Sequence, residues 1–194
     1  MPHVDSSVPV RREDVAAAAD TRARAFHDDP LWTAVWPDGG RRTEQLRRMF
    51  SALVATTRAA PAPARRLPDG SAVALWTQPG THLRVRASVR AGFALPRFVL
   101  RMTADERRRF LPTVTLLEKR RQALMPTPYW YLQAIGVEPA RHGQGAGTAL
   151  VREGLARAER DRVPVYLETE TVQNVAFYSR LGFEVLEEHT PVQL

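Results

Sequence analysis

Two rhythms of apolar and polar residues run along this chain, and the change from one to the other marks its elements. Leu46, Met49, Phe50, Leu53 and Val54 recur at helical spacing and predict a helix over Arg41–Thr57. Before it, Glu13–Phe26 is alanine-rich with acidic residues at its start, which favours a helix. Asp29-Pro30 should end or interrupt that helix, and Pro37-Asp38-Gly39-Gly40 reads as a turn. Val8–Arg11 predicts a short first strand. Ser71–Thr77 is a near-continuous apolar run of strand length, and a weaker strand at about Ala64–Leu67 precedes it. Pro68-Asp69-Gly70 between the two predicts a hairpin. His82–Leu124 is helix-like but irregular, with interruptions at Pro96 and Pro112.

The second half is more regular. Tyr129–Val137 is an aromatic and apolar strand, followed by a glycine-rich loop and a helix at about Gly145–Asp161 with Leu150, Val151, Leu155 and Ala158 on one face. Pro164 introduces a strand over Val165–Thr169. Asn174 is placed to cap a short helix ending near Gly182, and Phe183–Glu187 begins another strand. The succession β-loop-α-β-α-β belongs to a mixed central sheet flanked by helices, an α/β (α+β) fold. A length of 194 residues favours one domain over 1–194.

Composition narrows the chemistry. Hydrophobic residues make up 44% and charged residues 25%, enough for a core without metal or disulfide support. The absence of cysteine excludes disulfides, thiolate metal sites and covalent catalysis through a thiol. MPHVDSSVPV at the N-terminus lacks the pattern of a secretory signal, and no stretch approaches the ~18 apolar residues of a membrane span, so a cytoplasmic protein without membrane contact is expected. The net charge of +7 comes almost wholly from arginine, Lys119 being the only lysine. That balance suits any anionic ligand. The densest basic cluster, Arg107-Arg108-Arg109, lies in a helix-like stretch with no interleaved aromatic residues, so it reads as a solvated helix face and no nucleic-acid partner is expected.

The segment VEPARHGQGAGTAL, Val137–Leu150, follows a strand and opens a helix. Gly143, Gly145 and Gly147 leave room for close approach of a ligand, and the first amides of a helix have no internal acceptor. Together with the helix dipole they suit a pyrophosphate. The loop lacks the lysine of a P-loop, and its glycines do not fit the G-x-G-x-x-G dinucleotide spacing. A glycine-rich turn without a ligand is the plain alternative.

His142–Gly147, HGQGAG, resembles the acetyl-CoA loop R/Q-x-x-G-x-G/A of the GNAT N-acetyltransferases, with Gly145 and Gly147 on its glycines and His142 departing from Arg/Gln. Gly136-Val137-Glu138-Pro139 looks like the strand-to-loop junction of that family, and Asn174–Phe183, NVAFYSRLGF, resembles its N-x-x-x-Y-x-x-x-G-F element. The hairpin Asp69–Gln78 (DGSAVALWTQ), Ala25–Pro30 (AFHDDP) and Pro164–Thr169 (PVYLET) are similar to puromycin N-acetyltransferase-like members, a likeness that covers most of the chain and is thin over Thr81–Leu124. The resemblance implies a GNAT fold, and against the family pattern a missing C-terminal strand is expected here. It also implies acetyl-CoA as acyl donor, no metal, and direct transfer to the primary amine of a small molecule. The implied coenzyme site is Ile135, Gly136, Val137, His142, Gly143, Gln144, Gly145, Ala146, Gly147, Thr148, Asn174 and Tyr178. Tyr178 would protonate the departing thiolate, a backbone N–H at Gly136–Val137 would meet the thioester oxygen, and Glu168 is the first candidate base. Glu170 shares a strand face with Glu168; His27 and Tyr131 are further candidates; Tyr131 with Gln133, and Trp32 with Trp36, are candidate acceptor-pocket walls. A non-catalytic acyl-CoA-binding module, and acetylation of a protein or RNA amine, are alternatives, and a homodimer is left open.

Overall fold

The computed structural model describes residues 7–58, 64–80, 94–125 and 128–189. Five strands make one sheet in the order β1 (Val8–Pro9), β2 (Arg65–Arg66), β3 (Ala72–Thr77), β4 (Trp130–Val137) and β5 (Val165–Tyr166). The first three pairings are antiparallel, and β4 and β5 run parallel. The helices are α1 (Val15–Ala25), α2 (Pro30–Val35), α3 (Gly39–Arg58), α4 (Ala94–Leu100), α5 (Ala104–Leu124), α6 (Ala146–Asp161) and α7 (Val172–Ser179).

β3 is buried on both faces, which is why its sequence reads as a continuous apolar run. Ala72, Ala74 and Trp76 join a core with Leu150 and Val151 of α6, whereas Val73 and Leu75 pack with Ala18 of α1 and Val54 of α3. Gly154 permits the α6 contact: a Cβ there would stand 2.0 Å from Cζ2 of Trp76. On the other face, Gly136 of β4 lets α1 approach, since a Cβ would meet Cα of Arg22 at 3.2 Å.

β4 carries a bulge. Leu75 pairs with Ala134 and Trp76 with Leu132, so Gln133 is the extra residue. Trp130 and Leu132 face the α6 core before the bulge; Ile135 and Val137 pack against it afterwards, and Ala134 turns to the α1–α3 side. A bulge bends its strand. Pairing between β4 and β5 is confined to Trp130–Val165 and Tyr131–Tyr166, so the β5-facing edge of β4 is open from the bulge onward.

Several expectations are corrected. Asp29-Pro30 starts a helix as well as ending one: the Asp29 carboxylate accepts from the Leu31 amide at 3.0 Å, and Pro30 sits at the first helical position. The turn over Pro37–Gly40 merges at Gly39 into α3. Pro112 does not interrupt α5, which runs through it from Ala104 to Leu124 with the loss of one donor. The beginning of the irregular stretch, residues 82–93, lies outside the described residues. Asn174 is not the cap of α7: Thr171 is, its hydroxyl accepting from the Asn174 amide at 3.2 Å. Phe183–Glu187 is not a strand, and Val185 and Leu186 are exposed. β5 covers two residues of the expected Val165–Thr169, because β4 has already bent away. Among the described residues β5 is therefore the edge of the sheet.

Candidate active site

The opening between β4 and β5 leads into a cavity of about 850 Å³. Its floor is β4, one side is the loop entering α6, another is α7, and its far wall comes from α2, α3 and α5.

At the loop, the chain leaves β4 through a 3₁₀ turn, Pro139–Arg141, and enters α6 at Ala146. Gly143 has φ +75° and Gly145 φ +85°, with open space around both. Their glycines answer to left-handed backbone rather than to crowding. Gly147 differs: a Cβ would lie 3.5 Å from Phe177 and Val137, an ordinary contact. Among the described residues the amides of Gly143, Gly145, Ala146, Gly147 and Thr148 donate to no carbonyl or side chain, while that of Ala149 is the first to bond back, to Gly145 at 3.0 Å. Unsatisfied donors at a helix start are what a diphosphate requires. His142 does not join them; its Nε2 lies 3.1 Å from the Val137 carbonyl oxygen, tying the loop to the strand. Arg141 pairs with Asp69 of the hairpin at 3.2 Å.

Tyr178 is 9% exposed, wedged between Phe177 and Phe183 with ring centroids at 4.9 and 5.6 Å, and it reaches the cavity. Burial, then the charge of Glu170, raises its pKa above the ordinary phenol value. Asn174, in the first turn of α7, presents an exposed side chain to the same cavity. Gly182, at φ +89°, ends this helical segment.

The cavity also collects carboxylates. Burial raises the pKa of Glu168, against the opposing effects of the Tyr131 hydroxyl, Arg121 and the Tyr166 hydroxyl. Its Oε1 is buried without a hydrogen-bond partner among the described residues. Arg121 stacks over Tyr131 at 4.2 Å and pairs with Glu118. Glu170 is open to the water of the cavity yet closely surrounded by protein; burial, then the charge of Asp29, pushes its pKa up to about 8. Asp29 is raised as well, chiefly by burial, while hydrogen bonds from Trp32, Leu31 and Glu170 oppose the rise.

Thus Ile135, Val137, His142, Gly143, Gly145–Thr148, Asn174, Tyr178, Glu168 and Glu170 line one cavity, with Tyr131, Gln133 and Trp32. Gly136 is turned toward Arg22 and Ala25, and Gln144 extends outward, donating to the Ala140 carbonyl at 3.3 Å. His27 lies outside the lining, beside Asp28 and the Gly39 carbonyl. Trp36 is 1% exposed and belongs to the core, whereas Trp32 stacks on it at 5.3 Å and faces the cavity. Asp29 escaped the sequence reading as a site residue because its Asp-Pro context pointed only to a helix boundary. The basic cluster of α5 is occupied elsewhere: Arg107 bonds Met102, Arg108 pairs with Asp105, and Arg109 bonds Val35.

A bulged strand parts from its parallel neighbour, and a glycine loop with free amides leads into the helix that follows. Residues 94–183 match the model of the Acetyltransferase (GNAT) family. The fold is similar to the crystal structure of histone acetyltransferase HPA2 and related acetyltransferase from Corynebacterium glutamicum, with a TM-score of 0.65, 24% identity, and coverage of 96% of this chain and 88% of that one. An uncharacterized N-acetyltransferase of Schizosaccharomyces pombe is 24% identical over 182 residues, 90% of this chain and 72% of that protein. Mycothiol acetyltransferase of Salinispora tropica is 44% identical over 64 residues, 31% of this chain and 21% of that protein. This chain matches about a fifth of the length of the mycothiol acetyltransferases.

Proposed function

We propose that this chain transfers an acetyl group from acetyl-CoA directly to the primary amine of a small molecule. The observation that carries the reading is the set of unpaired amides at Gly143, Gly145, Ala146, Gly147 and Thr148, opening onto the same cavity as Tyr178 and Glu168. The resemblance of the β2–β3 hairpin to puromycin N-acetyltransferase-like proteins supports a small amine over a protein or RNA one.

When bound, acetyl-CoA supplies the activated acetyl group as a thioester. Gly143, Gly145, Ala146, Gly147 and Thr148 would hold the diphosphate through their amides, with Asn174 beside them. Glu138 donates its amide to Ser71 across the sheet at 2.8 Å. Strand alternation therefore turns the Val137 amide toward the open edge, where it can donate to an oxygen gaining negative charge. Glu168, its pKa raised by burial, accepts the proton of the acceptor ammonium. Tyr178 stays protonated at neutral pH and holds at Oη the proton for a leaving thiolate. A non-catalytic acyl-CoA-binding module would leave the Tyr178 hydroxyl without a task.

The chain has no cysteine, so a thiol reagent reads released CoA without background from the protein. Tyr178→Phe is expected to lower kcat at least tenfold while acetyl-CoA binding stays within about twofold. Unchanged turnover would remove the tyrosine from the mechanism. No uptake of acetyl-CoA by the folded chain would end the proposal.

A further inference from the structure

The far half of the cavity has a composition that names its occupant. Asp29 and Glu170 come from distant parts of the chain, α2 and the segment before α7, and each acts electrostatically on the other. Neither forms an ion pair with a basic side chain among the described residues. Of the arginines lining the cavity, Arg121 is engaged with Glu118 and Tyr131, Arg141 pairs with Asp69, and Arg180 stands at the C-terminal end of α7. The neighbouring Glu168 adds a buried oxygen with no hydrogen-bond partner.

Beyond the carboxylates the wall is apolar, with aromatic rings set among Leu31, Met49, Leu53 and Val114. Trp32, Phe26, Phe50 and Phe110 line it, and they are fixed by one another: Phe26 meets Phe50 at 5.2 Å and Trp32 meets Phe110 at 6.3 Å. Asp29 and Trp32 belong to the same turn. The Asp29 carboxylate caps α2 by accepting from the Leu31 and Trp32 amides, at 3.0 and 3.4 Å. Residues three apart at a helix start hold their side chains roughly 5–6 Å apart. A cation on the carboxylate pair and a ring against Trp32 would therefore belong to one ligand with a short link between them.

We propose that Asp29 and Glu170 bind the ammonium of the acceptor while Trp32, Phe26, Phe50 and Phe110 bind its ring, so that the acceptor is an arylalkylamine. This rests on the reading of the cavity as an amine acetyltransferase site. A polyamine would leave the aromatic wall against a flexible, charged chain, and an amino sugar would leave its hydroxyls against apolar carbon. An arylalkylamine satisfies both halves, with burial of the ring against the wall and contact of the cation with aromatic faces. Two facing carboxylates are costly without a cation; burial and Asp29 push Glu170 up to about 8, and a bound ammonium offsets the second cause.

The test uses the full chain saturated with CoA and measures binding by calorimetry, independently of turnover. Phenethylamine and tryptamine are expected to bind at least tenfold more tightly than spermidine, glucosamine and the neutral 2-phenylethanol. Glu170→Gln and Asp29→Asn, the second keeping an oxygen to cap α2, are each expected to weaken tryptamine binding at least tenfold and to change the acetyl-CoA dissociation constant less than twofold. Equal binding of all probes, tighter spermidine or glucosamine, or variants with unchanged tryptamine affinity would overturn the proposal. A parallel assay of CoA release separates it from the activity beneath it. Turnover of glucosamine or spermidine with both arylalkylamines inert would overturn the acceptor class and leave acetyl transfer standing. Tight arylalkylamine binding with no CoA released from any amine would overturn transfer and leave the recognition site standing.

Discussion

At the scale of single residues, similar side chains serve opposite ends. Gly145 and Gly154 are both glycines of the same helical segment. Gly145 has space for a side chain but a φ of +85°, whereas Gly154 has ordinary helical backbone and the ring of Trp76 where its Cβ would be. Gly145→Ala is therefore expected to cost about 1–2 kcal/mol in left-handed backbone, and Gly154→Ala to cost about 3 kcal/mol by overpacking. Chemical denaturation measures both. Only the first should weaken acetyl-CoA binding, since Gly154 is remote from the free amides. Arg22 is the other residue out of keeping with its surroundings. It is fully buried, its three guanidinium nitrogens have no hydrogen-bond partner among the described residues, and the Phe50 ring lies 4.9 Å away. Burial lowers its pKa to about 9. Arg22→Met is expected to stabilise the fold by about 1–2 kcal/mol. The sign follows from linkage. The folded state holds this proton less tightly than the unfolded chain does, so the charge destabilises at neutral pH and the gain from Met shrinks as pH rises past about 9. An unchanged or lower stability of the Met variant would mean that the guanidinium is compensated in solution.

At the scale of elements, α5 shows how a terminus is tied to the rest of the chain. Thr103 and Glu106 form a capping box, with the Thr103 amide donating to Glu106 at 2.7 Å. Glu106 also accepts from Arg41 at 2.6 Å and from Gln45 at 2.8 Å, which fastens α5 to α3. Burial raises its pKa, but Arg41, Gln45 and the Thr103 amide outweigh burial and hold the carboxyl down to about 2. Its contribution is therefore complete above the ordinary carboxyl pKa and is lost as pH falls toward 2. Glu106→Gln is expected to cost about 2 kcal/mol at pH 7, less than a fully buried pair because Arg41 is partly exposed, and to flatten the acid limb of the stability–pH curve. The elements most legible in the sequence were those with a single dominant signal. The α6 stripe and the glycines before it fix that helix to within a residue, and β3 follows from its unbroken apolar run. What was not legible depended on distant partners. Nothing local reveals the bulge at Gln133, which exists because β4 serves β3 along its length and β5 only at its start. Nor does Asn174 reveal that Thr171 takes the cap, since both residue types cap helices. Phe183–Glu187 alternates like a strand, but β4 has parted from β5 and Phe183 is drawn onto Tyr178.

At the scale of the whole molecule, the site is a product of the sheet's failure to stay closed. The cavity exists where β4 bends from β5, and helices from both halves of the chain complete it: α2 and α3 before the hairpin, α5, α6 and α7 after it. The proposed coenzyme loop was readable from six consecutive residues because a helix start advertises its free donors locally. The proposed acceptor wall was not, because Asp29, Phe50, Phe110 and Glu170 converge only in the folded chain. This division predicts two thermally separable ligand effects. Acetyl-CoA binding only the folded state, at 100 times its dissociation constant, should stabilise by about 2.7 kcal/mol. For a chain of this size that raises Tm by about 5–10 °C. Gly145→Ala, compared at the same ligand concentration, should lose most of that rise because its loop can no longer present five amides to one anion. Glu170→Gln should keep the full rise with acetyl-CoA and lose the further rise given by tryptamine, since it belongs to the other half. Scanning calorimetry of the three proteins with each ligand decides the matter. A shift with acetyl-CoA as large in Gly145→Ala as in the parent would place the coenzyme elsewhere, and loss of both shifts in Glu170→Gln would mean that the two halves of the cavity bind as one.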